Sequence, residues 1–236
     1  MSLPLRSLLL VAGLLAAAPT PSMAQQVVFA AGLPTELDSA TQAALTREVS
    51  LARSRGLPVE PLLAKVREGR IKRAAPSRIR SAVAALAVRL DSARLALGMM
   101  SNREELVAGA DALGAGADMA ALRTVREAAG ARDVAAPLGA LAQLVATGVP
   151  VRRASQFIVE LLRRDTAPGQ VLAFGNDVEA DVGAGVPAVE SATFRMRAIE
   201  AQRVITGDKV TVAGPATGSP VDLSSQGRGA RPARKP

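Results

Sequence analysis

Apolar residues recur at intervals of three and four along most of the chain. In the clearest stretch they fall at Ile79, Val83, Leu86 and Leu90, with arginines and an aspartate between them. This spacing places the apolar side chains on one face of an α-helix. No segment before residue 206 alternates as a β-strand does. The pattern predicts an all-α fold of eight or nine helices, over residues 38–55, 59–69, 77–98, 102–113, 117–129, 134–147, 150–165, 168–184 and 187–204.

A triplet of glycine, a branched apolar residue and proline occurs four times, starting at Gly32, Gly56, Gly148 and Gly185. Glycine adopts the left-handed conformation that ends a helix, and proline opens the next helix. Connections this short make consecutive helices antiparallel or sharply angled neighbours. The triplets are unequally spaced, so the sequence leaves two architectures open: an irregular bundle and a short solenoid-like array of antiparallel helices.

The N-terminal segment has the features of a secretory signal peptide. Arg6 precedes an apolar run over residues 8–18, and the segment ends in Ser22-Met23-Ala24. We therefore expect residues 1–24 to be cleaved. A short N-terminal membrane anchor is the alternative, although the run is about half the length of a membrane span. We expect a periplasmic or secreted protein that keeps no transmembrane span after cleavage.

After the predicted signal peptide, we expect residues 25–37 to form an N-terminal lead-in and residues 38–205 to form the helical domain. From residue 206 to 236 the composition shifts to glycine, proline, serine and threonine, with several basic residues. Such a segment buries too little apolar surface to offset its ordering entropy. The sequence therefore predicts a disordered basic tail over residues 206–236.

The chain contains no histidine and no cysteine. This excludes the usual general base near neutral pH, the thiol nucleophile, the common zinc ligands and disulfides. No cofactor or metal site is predicted either, because the acidic string at Asp177, Glu179 and Asp181 lacks the glycine and terminal glutamate of a calcium loop.

Glutamates remain as candidate catalytic groups. A carboxylate-based hydrolase or lyase acting on cell-wall glycan would use two residues of the set Glu48, Glu68, Glu104 and Glu160. Glu104 has a second explanation, since Ser101 and Glu104 have the spacing of a capping box. Glu104 and Glu105 also lie in a first helical turn, where negative charge is favourable.

Basic residues form the pattern that points most clearly to binding. Arg78, and Arg152 with Arg153, open predicted helices, where the helix dipole disfavours a cation. We interpret these helix starts as facing an anion, with backbone N–H and guanidinium groups sharing one carboxylate or phosphate. The alternative is that the arginines extend into solvent or pair with acids on neighbouring helices. The predicted anion- or partner-binding set comprises Arg67, Arg70, Lys72, Arg73, Arg78, Arg80, Arg152 and Arg153.

The compartment and the composition narrow the expected partner. Nucleic acid is not expected, because the basic segment has no interleaved aromatic residues and no known motif, and an exported chain is separated from the genome. An envelope protein or an anionic envelope polymer fits better. We expect a non-catalytic binding or scaffolding protein of the bacterial cell envelope, with the glycan-cleaving enzyme as the alternative.

One segment resembles known sequences. The chain reads Gly56-Leu57-Pro58, Pro61-Leu62-Leu63, Lys65-Val66, Glu68-Gly69, Pro76, Arg78-Ile79 and Ala82-Val83. This run of about thirty residues resembles a pattern in uncharacterised exported helical proteins of bacteria. The resemblance implies export and an all-helical body, and it brings no activity, cofactor or site residue with it. The chain departs from the pattern at Lys72-Arg73, where such sequences commonly show a second lysine-glycine step.

Overall fold

The computed structural model describes residues 37–211, with side chains described over residues 37–202. This part of the chain contains nine helices and no strand, which confirms the predicted all-α class. The helices are α1 (Ser39–Ser54), α2 (Glu60–Ile71), α3 (Pro76–Leu97), α4 (Arg103–Ala115), α5 (Met119–Ala129), α6 (Ala135–Ala146), α7 (Val151–Arg163), α8 (Pro168–Gly183) and α9 (Ala188–Thr211).

The predicted helix limits agree with the observed ones to within a few residues, except at the end of α9. This helix continues to Thr211 and so includes the first six residues of the predicted basic tail, 206–211. Gly207 lies inside it, and a single glycine disfavours a helix by only about 1 kcal/mol. The predicted signal peptide, all of the predicted lead-in but its last residue, and the predicted tail from residue 212 onward lie outside the described residues.

The helices form two layers, because α1 and α3 to α7 each contact the second helix along the chain, whereas the main contact of α2 is with α3. In the first layer α1 packs on α3, α3 on α5, and α5 on α7, and α7 touches α9. In the second layer α4 packs on α6, and α6 packs on α8. Consecutive helices such as α3 and α4, or α8 and α9, connect the two layers. This repeated contact with near neighbours is the packing of a short solenoid-like array.

A single apolar cluster fills the space between the layers. It extends from Leu45 in α1 to Met196 in α9 and consists mainly of leucine, valine and alanine. Phe174 in α8 is the largest of its fully buried side chains. Small side chains let the helices approach closely, as at Gly109 in α4, where a Cβ atom would lie 3.1 Å from Leu97 of α3.

Six helices end in the same pair of backbone hydrogen bonds. Two consecutive residues at the helix end donate their N–H groups to carbonyls of the last turn. This is the Schellman motif, which favours glycine because its φ angle is positive. Four of the six ends carry glycine, at Gly56, Gly116, Gly148 and Gly185. The other two ends carry Arg73, at φ 51°, and Asp165, at φ 53°. The three described glycines of the Gly-apolar-Pro triplets thus end helices as predicted.

Candidate anion-binding cleft

The end of α2, the start of α3 and Leu37 line an open cleft of about 570 Å³. Its basic residues are Arg67, Arg70 and Arg73, all members of the predicted binding set. Its apolar residues are Leu37, Ile71, Ala74 and Ile79. We call this feature the basic cleft.

The turn between α2 and α3 positions the arginines. Lys72 caps α2, and the Arg73 N–H donates to the Arg70 carbonyl at 2.8 Å, while the Ala74 N–H donates to the Gly69 carbonyl at 2.9 Å. Pro76 then opens α3, where its missing N–H leaves no donor unpaired. The local sequence therefore forms a tight four-residue turn that places Arg67, Arg70 and Arg73 on one side.

Arg73 occupies a conformation that favours glycine. A residue with a Cβ atom in the left-handed region is disfavoured by about 1–2 kcal/mol. The side chain of Arg73 is exposed, and it makes no hydrogen bond or ion pair with the residues that the structure describes. Arg67 likewise makes none within residues 37–202. The guanidinium of Arg73 therefore makes no contribution to the stability of this region through a hydrogen bond or an ion pair.

Two other members of the predicted set have partners within the chain. Lys72 pairs with Glu68 at 2.6 Å, one turn back on α2, and Lys65 pairs with the same carboxylate at 2.7 Å. The two lysines lower the pKa of Glu68 to about 2. Arg80 donates to the Thr41 hydroxyl at 2.5 Å and so links α3 to α1. Lys72 and Arg80 therefore contribute to structure within the chain.

The arginines at helix starts, which we interpret from the sequence as facing an anion, are exposed. Arg78 lies in the first turn of α3, and Arg152 and Arg153 lie in the first turn of α7. The guanidinium of Arg153 lies 5.6 Å from the centre of the Phe157 ring and donates to Gln156 at 3.3 Å. This cation–π contact accounts for part of the placement of Arg153.

The structure brings together only part of the predicted set. Helix α7 packs on α5 and α6, whereas α2 and α3 pack on each other. Arg67, Arg70 and Arg73 therefore form one site, and Arg152 with Arg153 forms a separate basic group on a different part of the array.

The four candidate catalytic glutamates lie on four different helices, α1, α2, α4 and α7. Glu68 is held ionised by Lys65 and Lys72, so it does not match the general acid of glycoside hydrolysis, whose pKa is raised. Glu160 pairs with Arg164 at 2.8 Å. Among the described residues, no group of three acidic side chains is arranged to hold a metal ion.

The structure also shows two features that the sequence interpretation missed. Glu105 is buried and accepts hydrogen bonds from three neighbouring groups. The sequence explains this acidic residue only by its favourable position in a first helical turn. Asp111 lies on the wall of a groove between α2 and α4 with much of its side chain exposed. Partial burial in that wall still raises its pKa, against the opposing effect of Arg89 and Lys65. The spacing of Asn102 and Glu105 is a local signal for a capping box, but the burial of Glu105 and the surroundings of Asp111 depend on side chains from other helices.

Comparisons with known proteins add no functional information. No family model matches the chain, and no curated protein or solved structure is significantly similar to it. Within residues 37–211, no helix is both long enough and apolar enough to cross a membrane.

Proposed function

We propose that this protein is a non-catalytic binding or scaffolding protein of the bacterial cell envelope, and that the basic cleft contacts an anionic partner protein or polymer. The observation that carries the proposal is the convergence of Arg67, Arg70 and Arg73 on one cleft, with Arg73 in a left-handed conformation. The Schellman end of α2 requires the left-handed backbone but favours glycine there, so an arginine at this position is a reason to look for a function of its side chain.

The chemistry of the cleft favours an anionic group. Guanidinium groups present several donors in a rigid fork, which matches a carboxylate or a phosphate. The acid nearest in sequence, Glu68, is already engaged by Lys65 and Lys72. Arg67 and Arg73 therefore have no carboxylate partner within the described residues. The chain as a whole also carries a formal net charge of +8, which favours association with anionic surfaces.

The cleft also offers apolar contact. The side chain of Ile71 is 83% exposed beside the arginines, and the apolar wall continues to Ile79 and Leu37. A partner with both acidic and apolar groups would use both parts of the cleft. A protein surface or an acylated anionic polymer has this combination.

The array itself suits a scaffold. Solenoid-like proteins present extended surfaces made from successive helices, and they contact partners along those surfaces. Arg152 and Arg153, at the start of α7, provide a second basic contact on such a surface. The envelope location rests on the predicted signal peptide at residues 1–24, outside the described part of the chain.

Binding to defined anions tests the proposal. The mature chain is titrated with poly-L-glutamate and with phosphatidylglycerol vesicles, at low and at high salt. The site variant carries Arg67→Glu, Arg70→Glu and Arg73→Glu. The control variant carries Arg123→Glu, Arg163→Glu and Arg197→Glu, which change three exposed arginines on other helices and alter the net charge equally.

We expect salt-sensitive binding that falls at least about tenfold in the site variant and much less in the control, because specific contacts are lost only in the site variant. Equal losses in the two variants would mean that only net charge matters. Unchanged binding by the site variant would contradict the proposal directly. Circular dichroism checks that both variants remain helical.

A further inference from the structure

A groove runs between α2 and α4, with α3 as its floor. It consists of two adjoining cavities of about 440 and 610 Å³ that share Pro61, Ala64, Val107 and Asp111. In the second layer α4 packs closely on α6, whereas the main packing partner of α2 is α3. The layer is therefore open at this place. The volume lies in the range of small-molecule sites.

Arg89 of α3 lines this groove and lies against α4. Its guanidinium passes next to Gly114, where a Cβ atom would be only 2.9 Å from the Arg89 Nη1 atom. Gly114 thus provides the space that the guanidinium occupies. The charge therefore lies where α3 and α4 meet.

Arg89 has no acceptor within the described residues. Its Nε atom is buried without a hydrogen-bond partner, as are the Nε atoms of Arg94 and Arg126. In those two residues a terminal nitrogen has a partner: Arg94 donates to a backbone carbonyl at 2.6 Å, and Arg126 donates to a carboxylate at 2.5 Å. Arg89 makes no hydrogen bond or ion pair with any residue in the described range. Because only its Nε atom is buried, the terminal nitrogens of Arg89 are open to an acceptor from outside the chain, and an anionic acceptor that binds them gains charge-assisted hydrogen bonds.

The other charges around the groove limit the kind of acceptor. Lys65 is paired with Glu68 at 2.7 Å, so Arg89 is the cation that remains available on this part of the wall. Asp111 stands close enough to interact with Arg89 electrostatically but makes no ion pair with it. Asp111 repels any anionic acceptor, and it repels one with two or more negative charges more strongly than one with a single charge. A single planar carboxylate matches one guanidinium best.

We propose that the groove between α2 and α4 binds a small monocarboxylate with an apolar body, with the carboxylate on Arg89 and the apolar body against Val107 and Leu86. This site goes beyond the proposed function, since the basic cleft involves different arginines apart from Arg67 at the far end of the groove. Either site can fail without the other.

Titration calorimetry with octanoate, with 1-octanol as the uncharged control, tests the proposal. Arg89→Leu should weaken octanoate binding by about 10- to 100-fold, the usual effect of losing hydrogen bonds to a charged group. Arg123→Leu, which removes an exposed arginine of α5, should leave binding unchanged.

Two further variants keep the test decisive even if Arg89→Leu folds poorly. Gly114→Ala inserts a Cβ atom where the guanidinium lies, but alanine is a better helix former than glycine, so the fold should be retained. We expect it to weaken octanoate binding severalfold. Asp111→Asn removes a repelling charge and should strengthen octanoate binding by about two- to fivefold. No saturable octanoate binding by the wild-type protein, equal binding of octanoate and 1-octanol, or unchanged affinity in both Gly114→Ala and Arg89→Leu would overturn the proposal.

Discussion

Glu105 joins three parts of the array through one buried carboxylate. Its side chain is 5% exposed and accepts from the Asn102 N–H at 3.0 Å, from the Val134 N–H at 3.1 Å and from Arg126 Nη2 at 2.5 Å. The Asn102 side chain in turn accepts from the Glu105 N–H at 2.8 Å, which completes a capping box at the start of α4. One side chain therefore connects α4, α5 and the start of α6.

Replacing Glu105 with alanine should be strongly destabilising. The change leaves the guanidinium of Arg126, whose side chain is only 21% exposed, without its carboxylate, and it leaves the buried Val134 N–H without an acceptor. Breaking a buried ion pair by removing one partner reduces the free energy of unfolding by about 3–5 kcal/mol. For a domain of this size, a loss of that order lowers the melting temperature by roughly 6–20 °C.

Glu104→Ala is the matched control, because it removes a carboxylate from the same helical turn but from an exposed position. A surface change of this kind should alter stability by less than about 0.5 kcal/mol. Urea unfolding followed by circular dichroism measures both variants against the wild type. A loss below about 1 kcal/mol for Glu105→Ala, or equal losses for the two variants, would refute the reasoning.

Three further predictions concern the helix ends and one ion pair. Arg73→Gly should raise the free energy of unfolding by about 1 kcal/mol, because glycine relieves the left-handed conformation, and urea titration should show the midpoint moving upward. Asp165→Gly should raise the free energy of unfolding by less than Arg73→Gly does, because it also removes the ion pair with Arg132 at 2.9 Å. Arg195 lowers the pKa of Asp181 to about 2, below its unfolded value of 3.8, so this pair stabilises the fold above about pH 4 and stops doing so as the pH falls toward 2. The difference in urea midpoint between wild type and Arg195→Ala should therefore shrink from pH 6 to pH 2, and a constant difference would count against the pair.

The helices could be predicted from sequence because their signals are local. The apolar period of three and four residues located the helices, and Gly56, Gly148 and Gly185 marked ends that the structure confirms. The capping box was predicted one residue too early, with Ser101 and Glu104 in place of Asn102 and Glu105. Both registers have the correct spacing, and only burial against α5 and α6 selects the second.

The arrangement of the site required contacts between helices. The density of basic residues was enough to indicate Arg67, Arg70 and Arg73, which share a cleft because one turn joins α2 to α3. The pairing of Lys72 with Glu68 follows the i, i+4 rule and was in principle readable from the sequence. The contact between Arg89 and Gly114 could not be predicted from the sequence, since these residues belong to different helices and neither is part of a motif.

Photo-crosslinking in the native envelope tests the central claim most directly. A photoreactive phenylalanine analogue replaces Ile71, which lies in the basic cleft with 83% of its surface exposed, and in a control chain it replaces Phe194, which is 66% exposed on α9. We predict a defined, salt-sensitive adduct with an anionic partner from position 71 and none from position 194. The absence of an adduct at position 71, or the same adducts from both positions regardless of salt, would contradict the account.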